Sequence, residues 1–347
     1  MNKKHFFILL TTLLTIAISL NLTACGDDPV LTDNMEEEDH SGDETSGNTR
    51  NYVWPTWTDI DGKEVKLYGW TRKNNNSNET QDYTFQYNNT GRISHFFGNA
   101  VNWKDNNTFS ITQKGDNEDY TLSVTLNDEG LVNSLKYTYQ ETDGDYEEKT
   151  STFSYNANKQ LMQLNETGEW SEPKDNESGS YTYTETYTWE NGNITNTQYS
   201  YKEEGLGDGG NYSESEIGTL TITYTHRENP TLQFPYGFAY GIDFPFEELA
   251  TLGLFGAGPQ KLPQTCNHND SENSHHFLYT LNPNGTIATE QYYYGSNNQY
   301  GYTFTYSYGA GSGNPGDKTD FTDFGKGDGG GGKFKIRHKT SKQNLFN

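Results

Sequence analysis

The chain has 347 residues, 26 of them Tyr and 18 Phe, with 31% in the hydrophobic class and a formal net charge of −24. Acidity of that size repels phosphate backbones and anionic surfaces, which argues against nucleic acid as a partner. A core built from such a composition must be aromatic, and Tyr, Phe and Thr suit pleated, half-buried strands.

Lys3 and Lys4 precede the apolar run FFILLTTLLTIAISL and then Leu22-Thr23-Ala24-Cys25, the tripartite layout of an export signal over residues 1–24. The tetrapeptide resembles the bacterial lipobox. The resemblance implies cleavage before Cys25 and its acylation by diacylglycerol and a palmitate-type chain, with outer-membrane lipid as partner. Two or more acyl chains anchor stably, since each buried CH₂ contributes about 0.8 kcal/mol. Cys266 is then left without a disulfide partner.

Gly26-Asp27-Asp28 resembles the acidic signal that sends lipoproteins of Bacteroidetes-type bacteria to the outer face of the outer membrane. Residues 25–50, with Glu36-Glu37-Glu38-Asp39, are too polar to bury anything and read as a disordered tether. Residues 51–308 read as one β domain. Trp54 and Trp57 are expected to pin its first strand to the core.

A single unit then recurs: YNNTGRI from Tyr87, LNDEGLV from Leu126, YNANKQL from Tyr155, WENGNI from Trp189 and LNPNGTI from Leu281. Each is entered by period-two alternation, as in Tyr83, Phe85, Tyr87 and Tyr120, Leu122, Val124, Leu126, which puts the apolar side chains on one face. Asn or Asp with Gly supplies the turn. In the third copy Lys159 stands where glycine is expected, and Asn158 is the candidate for the left-handed position. The fourth copy is one residue shorter, so its turn must differ.

Further strand-like runs at Glu64 to Trp70, Thr108 to Thr112, Gly218 to Thr225 and Tyr300 to Tyr308 bring the count to about fourteen antiparallel strands. That many must curl, close or split, and the expected fold is an all-β hairpin meander, curled or barrel-like. The exception is DFPFEELATLGLFGAG from Asp243. Pro245, Glu247 and Glu248 favour a helix start and Gly253 or Gly256 an end, predicting one short helix near 245–253 that plugs or caps the sheet with Phe246, Leu249 and Leu252 inward. Residues 309–347 form a Gly-rich, disordered tail with a basic end.

The lipobox, the Y-x-Y-N-x-x-G hairpins and the ENP…LATLGLFGAGPQKLP segment together resemble a family of Bacteroidetes lipoproteins, a domain of unknown function with a porin-like fold. The hairpins also loosely resemble YD-type repeats. The resemblance implies a barrel-like body and brings no activity or catalytic residues. A second face of Thr, Gln, Asn and Glu is not the lipid-facing band of a membrane barrel, so a curled sheet in water is expected.

Candidate chemistry is sparse. Cys266, His268, His275 and His276 fall within eleven residues and are of metal-ligating types, but their spacing matches no established site and a polar loop of solvated histidines accounts for them better. No metal or other cofactor is assigned. Asp143-Gly144-Asp145 and Asp116-Asn117-Glu118-Asp119 offer oxygen ligands without a complete calcium loop. Trp103 and Trp170, each placed in a polar loop, are candidates for stacking on a sugar, or else fold back over the sheet. Without a nucleophile elbow, phosphate loop or zinc helix, the sequence points to non-catalytic binding of an extracellular glycan or protein. A glycan-active enzyme and a structural accessory of an outer-membrane complex are the alternatives.

Overall fold

Asn88 shows how the chain reverses. Its side-chain oxygen accepts the N–H groups of Thr90 and Arg92, each at 3.0 Å, while Gly91, at φ +80°, closes on the Asn88 carbonyl at 2.9 Å. This is a type I turn followed by a left-handed residue, and the pairing register slips between Gln86 and Tyr87. Asn127 with Gly130, Asn156 with Lys159 and Asn282 with Gly285 repeat it, and so does Asp59 with Gly62, a copy absent from the sequence alignment of the turns. Lys159 itself takes the left-handed conformation, at φ +60°, which corrects the assignment to Asn158. The fourth residue from the leading Asn must reverse the chain whatever its identity, at a cost of about 1–2 kcal/mol for a side chain. The short fourth copy turns on Asn191 and Gly192, both at positive φ, as a two-residue loop.

The computed structural model describes residues 57–114, 118–142, 144–207, 209–241, 247–268, 274–295 and 300–310, all within the second of the chain's two units, Asn48–Asn347. Its strands are β1 (Trp57–Thr58), β2 (Glu64–Asn74), β3 (Thr80–Tyr87), β4 (Ile93–Phe96), β5 (Asn99–Trp103), β6 (Thr108–Lys114), β7 (Glu118–Leu126), β8 (Val132–Glu141) and β9 (Tyr146–Tyr155). There follow β10 (Leu161–Glu172), β11 (Glu177–Glu190), β12 (Asn193–Gly207), β13 (Gly210–Glu228), helices α1 (Tyr236–Gly241) and α2 (Glu247–Thr251), then β14 (Lys261–His268), β15 (His275–Leu281), β16 (Ile287–Tyr294) and β17 (Tyr300–Ala310). Each strand from β2 on pairs antiparallel with the next, and β17 returns to β2, Thr305 opposite Thr71, closing a sixteen-stranded barrel. β1 adds two residues beside β2.

The barrel is the all-β, curled meander expected from sequence, with three more strands than the fourteen. The additions are β1, β5 and β14. Short or polar sequences hide their alternation, and Pro263 sits in β14 at a register irregularity, where a residue without an N–H is tolerated. Trp103 therefore ends β5, Trp170 lies near the end of β10, and Cys266 and His268 belong to β14; none of the four is in a loop.

The alternating face predicted for the hairpins is the inner face. Tyr120, Leu122, Val124 and Leu126 are all buried, while Thr121, Ser123 and Thr125 look outward; on β11 the outward positions are Thr182, Thr184, Thr186 and Thr188. The described residues of the segment after β13, 229–241 and 247–260, fill the barrel at the end where the Asn turns lie. Phe234, Phe238, Leu252, Leu254 and Phe255 are fully buried there, against Phe277 on β15 and Phe153 on β9. Two helices stand in place of the one expected: α2 lies in the predicted stretch with Leu249 and Leu252 inward and Gly253, at φ +81°, beyond its end, and α1 precedes it. Trp57 is buried as expected, and Gly309 and Ala310, assigned to the tail, extend β17 beside Lys66 and Val65, whereas Trp54, Phe246, the leader, Cys25, the tether and the tail from residue 311 lie outside the described residues.

Candidate functional site at the barrel mouth

The plug is fastened to the wall by buried polar contacts. Glu290 on β16 accepts the N–H groups of Gly237 at 2.8 Å and Phe238 at 3.0 Å, at the start of α1, and the hydroxyls of Tyr306 at 2.6 Å and Tyr279 at 3.2 Å. Burial pushes its carboxyl up to about 7 against those donors. Gly256 meets Gln160 in a bridge, and Ala257 donates to the Lys159 carbonyl. On α2, Glu248 is likewise raised to about 7 by burial, opposed by its own backbone N–H, the Tyr236 hydroxyl and Arg72.

Trp103 lies at this plugged end. Its indole N–H donates to the Ile93 carbonyl at 3.0 Å, its ring packs on Phe109, and the Arg92 guanidinium sits 4.9 Å above it. The same stitch, from the last aromatic residue of an odd strand to the even strand before it, recurs at Tyr87 to Leu67, Tyr155 to Val132, Trp189 to Leu161 and Tyr224 to Ile194. Trp103 belongs to that set of wall contacts.

Trp170 lies at the opposite end, where β10 to β13 run well beyond the buried core, and most of their inward residues are half-exposed around the buried Glu203. Its ring crosses Gly179 on β11, where an added Cβ would stand 2.9 Å from the indole nitrogen. Tyr181 covers Gly168, Tyr212 covers Gly205 and Tyr199 covers Gly218 in the same way, each pair directly opposed across two strands. A missing Cβ lets each ring lie flat on the sheet with one face toward the lumen.

Carboxylates fix the polar edges of these rings. Glu203 accepts the Trp170 N–H at 3.0 Å and the Tyr212 hydroxyl at 2.6 Å, with Tyr201 donating to its other oxygen. Glu166 accepts from Tyr181 at 3.1 Å and Glu216 from Tyr199 at 2.6 Å. Burial first, then these glutamates, raise the Tyr181, Tyr201 and Tyr212 phenols, so all three stay neutral donors. Farther round the wall, the Tyr137 hydroxyl is buried without a partner among the described residues, beside Lys149, whose amine lies 5.3 Å from its ring. An open groove of about 500 Å³ lies at this tip, lined by Tyr146, Glu169, Trp170, Ser178, Gly179 and Leu206 among others.

On the other side of the mouth, the Nε2 atoms of His268 and His275 stand 3.2 Å apart, and His275 Nδ1 is 2.8 Å from the Tyr292 hydroxyl. Burial, then the neighbouring His268 and His276, lowers His275 to about 3, leaving it neutral. Cys266 is fully buried on β14, and His276 follows His275 on the outward face of β15. Among the described residues no three metal-ligating side chains converge.

The structure thus brings Trp170 into a cluster and separates it from Trp103. Reading the sequence for isolated Trp residues missed the glutamates and tyrosines around it. Tyr-x-Glu spacing on one strand face signals only Tyr201 with Glu203; Glu166 with Tyr181 and Glu216 with Tyr199 pair across strands and leave no such signal.

No family model and no curated protein matches the chain. Among solved structures it is similar to a porin-like protein from Bacteroides vulgatus ATCC 8482, at 12% identity and TM-score 0.46 over 71% of this chain and 99% of that one. It is also similar to a porin-like protein from Bacteroides uniformis ATCC 8492, at 16% identity and TM-score 0.42 over 70% and 98%.

Proposed function

We propose that the protein is a lipid-anchored outer-membrane lipoprotein facing the cell exterior, whose barrel mouth binds a neutral extracellular glycan without catalysis. The observation that carries the binding reading is the set of rings laid flat over Gly168, Gly179, Gly205 and Gly218. Flat, immobilised aromatic faces suit the apolar faces of sugar rings, and the half-exposed carboxylates of Glu166 and Glu216 at their edges are acceptors for sugar hydroxyls, while buried Glu203 holds the rings in place. Glu166, Glu203 and Glu216 would repel an anionic polysaccharide, which selects a neutral one. Outward Thr and Ser support a barrel wall in water. The plugged lumen supports binding over conduction.

A glycan array probed with the full chain tests this reading: binding to neutral oligosaccharides is expected, and an array without binding contradicts it. The anchor rests on Leu22 to Cys25. Mass spectrometry of the membrane-extracted protein is expected to find an acylated N-terminal Cys25, and an unmodified or uncleaved one contradicts it.

A further inference from the structure

We infer that His268 and His275 form an open binding site for a divalent transition metal at the barrel mouth. Their Nε2 atoms face one another at 3.2 Å from the ends of paired strands, β14 and β15. Two nitrogen ligands at about 2.0–2.1 Å from zinc are about 2.9 Å apart at a right angle and about 3.4 Å apart at the tetrahedral angle. The observed separation falls between those values, so one ion can be held by both nitrogens with little movement. The pair is already directed: His275 is 7% exposed, its ring stacks on Tyr292, and its Nδ1 engages the Tyr292 hydroxyl at 2.8 Å. With Nδ1–H donating to that oxygen, the Nε2 lone pair points at His268 Nε2 and accepts its proton; an ion entering between the rings displaces that one proton, after which both nitrogens coordinate, with the Tyr292 hydroxyl fixing the tautomer of His275 as an outer acceptor does.

Two protein ligands leave the remaining coordination positions to solvent or to a bound molecule, and imidazole suits zinc, copper and nickel rather than calcium or magnesium. A formal charge of −24 concentrates cations at the surface. His276, whose side chain points to the other face of β15, takes no part.

Titration of the full chain with Zn²⁺ by calorimetry tests the site, with Ni²⁺ as a second probe. One equivalent is expected to bind wild type and His276→Gln alike, with affinity reduced at least tenfold in His268→Gln. His268 is only half-buried, so that variant folds even if His275→Gln does not; circular dichroism of both shows which variants are folded. Absence of stoichiometric binding to wild type overturns the site, as does undiminished binding to folded His268→Gln or an equal loss in His276→Gln. The glycan array is run in chelator, so failure of either reading leaves the other standing.

Discussion

The indole of Trp170 lies across Gly179 on the neighbouring strand, close enough that a single methyl at Gly179 would stand 2.9 Å from the ring nitrogen. The ring's orientation is thus set by an absent side chain and by the hydrogen bond to Glu203. Gly179→Ala is expected to lift the indole and weaken glycan binding at least tenfold, matching Trp170→Ala. Both positions are on the projecting strands, so the melting temperature should move by no more than a few degrees. Calorimetry with a bound oligosaccharide, beside a thermal melt, measures the two effects separately.

Glu290 holds the plug, and its pH dependence follows from burial. Its carboxyl titrates near 7 when folded against an ordinary 4.5, so the folded state binds the extra proton between those values. The stabilisation is complete below about pH 4.5 and lost as pH rises toward 7, amounting to about 3 kcal/mol at 1.36 kcal/mol per pH unit. His275 acts in the opposite sense: with its folded value lowered to about 3 from 6.5, its contribution is present above pH 6.5 and lost as pH falls. Glu290→Gln keeps a neutral side chain there, and denaturant titrations from pH 5 to 8 should show the wild-type decline flattened in the variant.

Lys159 occupies a left-handed position that glycine fills in its sister turns. Lys159→Gly is expected to stabilise the barrel by about 1 kcal/mol, the relieved strain exceeding the added chain entropy. Its amine lies 3.9 Å from Glu129 with both side chains exposed, and a surface pair of that kind contributes little. Urea midpoints of the two proteins check the sign.

Gly256 approaches the Lys159 carbonyl so closely that a Cβ would collide with backbone, at a positive φ of 87°. Gly256→Ala should therefore cost several kcal/mol by prising the plug from β9 and β10. Limited proteolysis is expected to cut within 229–260 in this variant and not in wild type.

Much of this architecture was legible before any coordinates. Asn88 to Gly91 and its copies announced turns, Tyr120 to Leu126 announced an inward face, and Glu247 to Gly253 announced a helix that fills the barrel. Those features rest on local backbone preference or strict alternation. The site was less legible because it depends on pairings between strands. Nothing near Gly179 in the sequence indicates that Trp170 will lie opposite it, since that register is set by the β10–β11 pairing. Nor does the spacing of His268 and His275 show that two strands bring their rings face to face. Trp103 and Trp170 looked alike in sequence, and it is the opposite directions of β5 and β10 that set them at opposite ends.

Hydroxyl-radical footprinting of the full chain, with and without a saturating neutral oligosaccharide, tests the location of binding most directly. Protection is expected at Trp170, Tyr181, Tyr199 and Tyr212, with Trp103 unchanged. Protection confined to the outer wall or the plugged end would contradict a glycan site at the barrel mouth.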